Sequence, residues 1–257
     1  MRAFIYLGIL FGFFLMLANS YAYYNITSIN TTLILNTNQS AHVVEQFIIY
    51  ISNTSISTYQ QNKDAIGLTL SDWQKVLYSP NLEEHILGGS GHSFYNFELL
   101  PGPLITVPGG GYATMTMNYY VKNVTSIQNI APRKFEYNFN TSVFNFEQGA
   151  SGQILPSDVR LNFIIPKGAE VIGVYPLPDY PKPNFIGNYS NITEFSWYTG
   201  EPLSQFSFNY VITESPETEV LNYLQNTYIN YGEWIYLIIA IGIIVSALYI
   251  YKKGKSS

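Results

Sequence analysis

The side chains able to do chemistry are few, and most of them gather in one place. Glu83, Glu84, His85 and His92 lie close together along the chain. Imidazole with carboxylate suits zinc or another divalent ion, which makes Glu83, His85 and His92 the metal-ligand candidates. Their spacing matches no helical or hairpin ligand pair, and Gly88-Gly89-Ser90-Gly91 between them supplies no fixed geometry. Exposed loop residues are the competing reading. Ser90 fails as a nucleophile of the Gly-x-Ser-x-Gly type, because position 92 is His and no helical pattern follows. Gly109-Gly110-Gly111 lacks the Lys-Ser/Thr of a phosphate loop and reads as a hairpin or bulge. Glu45, Glu136 and Glu147 fall on predicted strands, where a carboxylate pair could serve glycoside hydrolysis. Nothing in their spacing brings two together, so they read as solvent-facing members of alternating strands. The absence of cysteine removes thiol nucleophiles, disulfides, Cys-ligated zinc and iron–sulfur clusters. The chain therefore reads as non-enzymatic, with no catalytic residue and no cofactor.

The elements that must position these groups begin with the two ends of the chain. Met1 and Arg2 precede an uncharged apolar stretch from Ala3 to Leu17, and Ser20 and Ala22 stand at the small-residue positions of a signal-peptidase site. Residues 1–22 are thus expected to be a signal peptide, with an uncleaved anchor as the alternative. Near the other end, Trp234 to Tyr251 carries no charge. At 1.5 Å per residue this stretch covers about 27 Å, enough for a bilayer core. Trp234 and Tyr236, then Tyr249 and Tyr251, sit where interfacial aromatics are placed, and Lys252, Lys253 and Lys255 mark the cytoplasmic side. The expected topology is a single pass in the cell membrane: an outer ectodomain, a transmembrane helix at 233–251 and a cytoplasmic tail at 252–257.

The whole chain has 257 residues and a formal charge of -5. Without Arg2 and the three tail lysines, 8 basic residues face 17 acidic ones, a net -9. Such a surface excludes a nucleic-acid partner and leaves the bilayer itself, envelope proteins or glycans. Asn-x-Ser/Thr sequons occur at Asn25, Asn30, Asn38, Asn53, Asn123, Asn140, Asn188 and Asn191, all within the ectodomain. They are the candidate N-glycosylation sites.

Alternating apolar residues predict strands at 27–35, 41–51, 113–121, 134–146, 159–165, 170–174, 193–197 and 205–213, separated by Gly and Pro turns. The fold class is all-β, built of antiparallel β-sandwich. Met115-Thr116-Met117-Asn118-Tyr119-Tyr120-Val121 resembles Phe206-Ser207-Phe208-Asn209-Tyr210-Val211-Ile212, and Gly102-Pro103-Leu104 is echoed by Glu201-Pro202-Leu203. Two tandem modules, 23–125 and 126–214, follow from that likeness. A single large sandwich accounts for the strands equally well. Ser71 and Gln74 match a capping box for a short helix that lays Trp73, Val76 and Leu77 on the sheet before Pro80. Ser215-Pro216-Glu217 starts a juxtamembrane stalk helix over 215–232. The proline-rich run from Tyr175 to Pro183 is a stiff extended loop, either a crossover or a recognition surface.

The order of parts, with Leu155-Pro156, Ile165-Pro166-Lys167-Gly168-Ala169 and Tyr175-Pro176-Leu177-Pro178 in the second half, resembles uncharacterised archaeal single-pass surface proteins with β-sandwich ectodomains. The resemblance implies an envelope location and supplies no catalytic residues. The expected function is therefore mediation of envelope protein or glycan interactions. The alternatives are an accessory subunit of a membrane complex, with Gly242, Ser246 and Ala247 facing a partner helix, and a surface hydrolase or metal protein.

Overall fold

The computed structural model of the chain describes residues 23–88, 94–149, 152–182, 189, 191–198 and 200–217, with single residues 220, 225, 228 and 231. The signal peptide, the transmembrane helix and the lysine tail expected from sequence lie outside the described residues. So do Trp234, Tyr236, Tyr249, Tyr251, Lys252, Lys253 and Lys255. Among the described residues no helix is long and apolar enough to cross a membrane. The fold has two compact units, one comprising residues 23–127 with 137–211 and the other 128–136 with the described residues from 212 onward.

The first unit is built on strands whose apolar residues alternate, because successive side chains of an extended chain point to opposite faces. β1 (Tyr24–Leu35) and β2 (Ala41–Ser52) form a long hairpin around the Asn36–Ser40 turn. On β2, Val43, Phe47, Ile49 and Ile51 are fully buried, while His42, Val44, Gln46, Ile48 and Tyr50 take the other face. Next come β3 (Phe94–Pro101), β4 (Ile105–Val107) and β5 (Gly110–Val121). A Cβ on Gly110 would collide with the Ile51 carbonyl oxygen, so the glycine run at 109–111 lets β5 enter the sheet beside β2.

Downstream lie β6 (Thr125–Ala131), β7 (Lys134–Phe139), β8 (Gln148–Gly149), β9 (Gly152–Gln153), β10 (Val159–Ile164), β11 (Glu170–Tyr175), β12 (Glu194–Trp197) and β13 (Ser207–Thr213). The larger sheet runs β12-β10-β1-β2-β5-β3, with β4 also on β5. A second sheet runs β11-β13-β7-β6, and β8 pairs with β9. Aromatic rings join the two sheets. Phe163 and Phe195 each lie 5.2 Å from Phe208, Trp197 lies 5.0 Å from Phe206, and Phe139 lies 4.8 Å from Phe163.

This arrangement corrects the expected division at 125/126. β10, from the second half of the chain, pairs in parallel with β1 from Ile29↔Val159 to Ile34↔Ile164, and β12 extends the same sheet. The halves therefore share one sheet and one core, and that sheet is mixed rather than wholly antiparallel. The repeated heptads are strands of different sheets, β5 and β13. Their likeness reflects a shared need to turn aromatic or Met side chains inward, as Met117 and Tyr119 do on β5 and Phe208 and Tyr210 on β13. The strand expected over 134–146 stops at Phe139, where Asn140 accepts a hydrogen bond from Ser142 N at 3.1 Å and starts a short 3-10 turn.

Two helices, α1 (Ile56–Lys63) and α2 (Leu70–Leu77), bury Tyr59, Trp73 and Leu77, with the Tyr59 and Trp73 rings 5.7 Å apart. α2 starts two residues earlier than its expected cap. Thr69 rather than Ser71 is the N-cap, its hydroxyl accepting from Asp72 N at 3.3 Å while the Asp72 carboxylate accepts from Thr69 N at 3.0 Å. Gln74 instead donates to the Leu82 carbonyl at 2.9 Å. Thr69→Ala is expected to lower unfolding free energy by about 1 kcal/mol in urea titration, the usual cost of an N-cap hydroxyl. Ser71→Ala is expected to cost little, and the reverse order would return the cap to Ser71.

In the second unit the tip of the β6–β7 hairpin is tied to the following chain by Glu214 N donating to the Arg133 carbonyl at 2.8 Å. Pro216, Glu217, Val220, Gln225, Tyr228 and Tyr231 are helical, within the span expected for the stalk.

Candidate functional site

The inward face of β2 carries one residue that alternation alone would make apolar. Glu45 stands between Val43 and Phe47 and is 0% exposed, which corrects its expected solvent-facing position. A buried carboxylate needs partners, and four donors converge on it. His85 N reaches Oε1 at 2.9 Å, and His85 Nδ1 lies 2.6 Å from Oε2. The Thr31 hydroxyl of β1 donates to Oε2 at 3.3 Å, and the Tyr119 hydroxyl of β5 makes a short hydrogen bond to Oε1. Ile86 N in turn donates to the Tyr119 hydroxyl at 3.3 Å.

His85 is only 6% exposed. Its ring is stacked between Phe47 and Phe146, at centroid distances of 5.9 and 5.1 Å. Its segment is laddered to residues 143–145, with Asn145 N donating to the His85 carbonyl at 2.8 Å and Leu87 N to the Val143 carbonyl at 2.7 Å. Burial pulls the imidazole pKa down, but the charge and hydrogen bond of Glu45, aided by Glu83 and Asp158, outweigh it and leave the pKa raised. Burial first, and the Glu45 charge second, push the Tyr119 phenol well above its ordinary value. Burial also raises Glu84.

Above this centre opens a cavity of about 430 Å³. Its wall includes His85, Glu83, Glu147 and Asp158, with Tyr24 and Tyr78 among the other lining residues. Of the expected metal ligands, Glu83 reaches this wall, His85 has given Nδ1 to Glu45, and His92 lies outside the described residues. Among the described residues no three His, Asp or Glu side chains are grouped to hold a metal ion. Of the carboxylates considered for pairing, Glu45 is sealed in the core, Glu147 lines the cavity and Glu136 lies half-exposed on β7.

The opposite face of the larger sheet holds a second arrangement of aromatic and polar side chains. Tyr120 stacks on His42 at 4.7 Å and on Tyr95 at 5.5 Å, and Lys122 Nζ sits 5.2 Å from the Tyr95 ring centre. Farther along, Tyr50 lies 5.4 Å from Tyr112 and 6.2 Å from Tyr23. Between them a chain of three amides and one hydroxyl crosses four strands. Asn30 Nδ2 donates to Gln46 at 3.3 Å, Asn162 Nδ2 to Asn30 at 2.5 Å, and the Ser196 hydroxyl to Asn162 at 2.7 Å. Arg160 donates to Asn162 at 3.0 Å and lies 4.9 Å from the Tyr198 ring centre. Tyr95 and Tyr112 remain 38% and 39% exposed.

The proline-rich run lies along β12. Asp179 N donates to the Ser196 carbonyl at 2.9 Å, and Trp197 Nε1 to the Pro176 carbonyl at 2.9 Å, so this segment forms a crossover braced on the sheet edge. Among the sequons, Asn25, Asn38, Asn53, Asn123 and Asn191 are exposed, Asn30 and Asn140 are half-buried, and Asn188 lies outside the described residues.

No family model matches the chain, and no curated protein matches it. Among solved structures, the folded domain of the LppM protein of Mycobacterium tuberculosis, determined by NMR, aligns over 78% of this chain and 97% of that one. The identity is 9% and the TM-score 0.27, a likeness too distant to carry an argument about this chain.

Proposed function

We propose that this protein is a non-enzymatic, membrane-anchored recognition protein of the cell surface that binds neutral glycans on the outer face of its larger sheet. The observation that carries the reading is the row of partly exposed aromatic rings and side-chain amides on one face of the sheet. Tyr95, backed by the stacked Tyr120, and Tyr112 offer flat apolar surfaces of the kind a sugar ring can cover. Gln46, Asn30 and Arg160 supply donors and acceptors that match hydroxyl groups, already held in place by their own network. The apolar stretch from Trp234 to Tyr251, followed by lysines, supports anchoring with this face outside the cell. The exposed sequons fit a surface that itself bears N-glycans at Asn25, Asn38, Asn53, Asn123 and Asn191.

Intact cells displaying the full-length chain are expected to adhere to an immobilised panel of neutral polysaccharides, and to lose that adhesion after external protease. The double variant Tyr95→Ala with Tyr120→Ala is expected to weaken binding about thirtyfold, since each stacked ring contributes on the order of 1 kcal/mol. Adhesion to none of the panel, or adhesion untouched by the double variant, would remove the outer face from consideration.

A further inference from the structure

We infer that the cavity over His85 is a binding site for a small organic cation, whose primary ammonium group donates to His85 Nε2 and is compensated by Glu83, Glu147 and Asp158. Charge is the first argument. Three carboxylates line the cavity, and no lysine or arginine stands among its lining residues. An anion is repelled there. A neutral polyol would leave the carboxylates uncompensated, and a metal ion lacks three grouped ligands among the described residues.

The second argument is the imidazole itself, which is buried yet lines the cavity. Nδ1 is committed to Glu45, and both ring faces are covered by Phe47 and Phe146. Nε2 has no hydrogen-bond partner among the described residues. Above its raised pKa, with the Nδ1 proton donated to Glu45, the neutral ring presents a lone pair at Nε2 that accepts from a donor. An alkylammonium has three N–H donors and the matching charge. Tyr24 and Tyr78, also in the lining, add aromatic surface for its carbon chain.

The group facing the imidazole is Glu45 from β2, to which Thr31 of β1 and Tyr119 of β5 also donate, with Glu83 and Asp158 adding their charge from the loops. Protonation of His85 removes the acceptor and adds a like charge, so the cation binds more weakly as the pH falls.

Titration calorimetry of the full-length chain in detergent with putrescine tests this. One saturable site is expected, at least tenfold tighter on the alkaline side of the His85 titration than at pH 5.5, and weakened at least tenfold by Glu147→Gln with Asp158→Asn. Both substituted residues are exposed and leave the core intact. Tyr95→Ala with Tyr120→Ala is expected to leave putrescine binding unchanged, which separates this site from the glycan face. A lysine-tipped peptide that binds more tightly than putrescine would place the ammonium on a partner chain, whereas tighter putrescine would make it a free amine. Absence of putrescine binding, equal binding of 1,4-butanediol, or displacement of putrescine by micromolar zinc would each overturn the assignment.

Discussion

Glu45→Ala is expected to cost about 3–5 kcal/mol of unfolding free energy, the range seen when one partner of a buried charged pair is removed. The substitution strands the Tyr119 and Thr31 hydroxyls, His85 N and His85 Nδ1, all of which now donate to that one carboxylate. Glu45→Gln keeps the volume but presents a single acceptor oxygen, and is expected to lose about half as much. Urea titration followed by tryptophan fluorescence measures both.

The same centre sets a pH dependence. The folded pKa of His85 is raised above its ordinary value of 6.5, chiefly through Glu45 acting against burial. The native state therefore holds the imidazole proton more tightly than the unfolded chain does. That contribution to stability is complete below pH 6.5 and is lost as the pH rises through the folded value. Stability of the natural protein should thus decline as the pH rises above 6.5 and through the folded value of His85, with a further loss above pH 10 as the unfolded chain releases the proton that Tyr119 retains. In Glu45→Gln the decline that His85 produces is expected to flatten. An unchanged slope would mean that Glu45 is not what holds the proton on His85.

Phe163→Ala is expected to cost a similar amount, about 3–5 kcal/mol, because the ring is fully buried and its removal leaves a cavity that its neighbours fill only in part. Those neighbours come from both sheets: Phe139 at 4.8 Å, Phe208 at 5.2 Å, Trp197 at 5.3 Å and Phe206 at 5.4 Å. The more telling readout is cooperativity. Phe163 lies on β10, which is laddered to β1, so the variant should lower a single transition that includes the β1–β2 hairpin. Calorimetry showing two transitions, with the one belonging to residues 23–125 unmoved, would restore the tandem-module division.

Much of the local structure was legible because it depends on alternation along the chain. The hairpin expected at 27–35 and 41–51 appears as β1 (Tyr24–Leu35) and β2 (Ala41–Ser52), and the glycine run at 109–111 does feed a strand. β3 was missed because its alternation is broken. Asn96 has a φ of 54°, and the register with β5 shifts between Tyr95 and Glu98. α1 was missed because it buries only Tyr59 and so shows no apolar stripe.

The buried centre had a signal that went unused. Counting by twos from Val43 puts Glu45 on the same face as Phe47, Ile49 and Ile51, and a carboxylate in that row calls for partners. Which partners they are could not be read from the chain, since His85 is 40 positions away and Tyr119 is 74.

The sequence by itself determined the strand-rich character of residues 24–213 and the inward and outward faces of the long strands. These follow from composition and from a period of two, both local properties. Only the tertiary structure decided that β10 lies parallel to β1, that the halves share a core, and that Glu45, His85 and Tyr119 meet beneath a cavity lined by carboxylates. Strand pairing and side-chain convergence are set by long-range packing of apolar faces, and many partners satisfy the same alternation equally well.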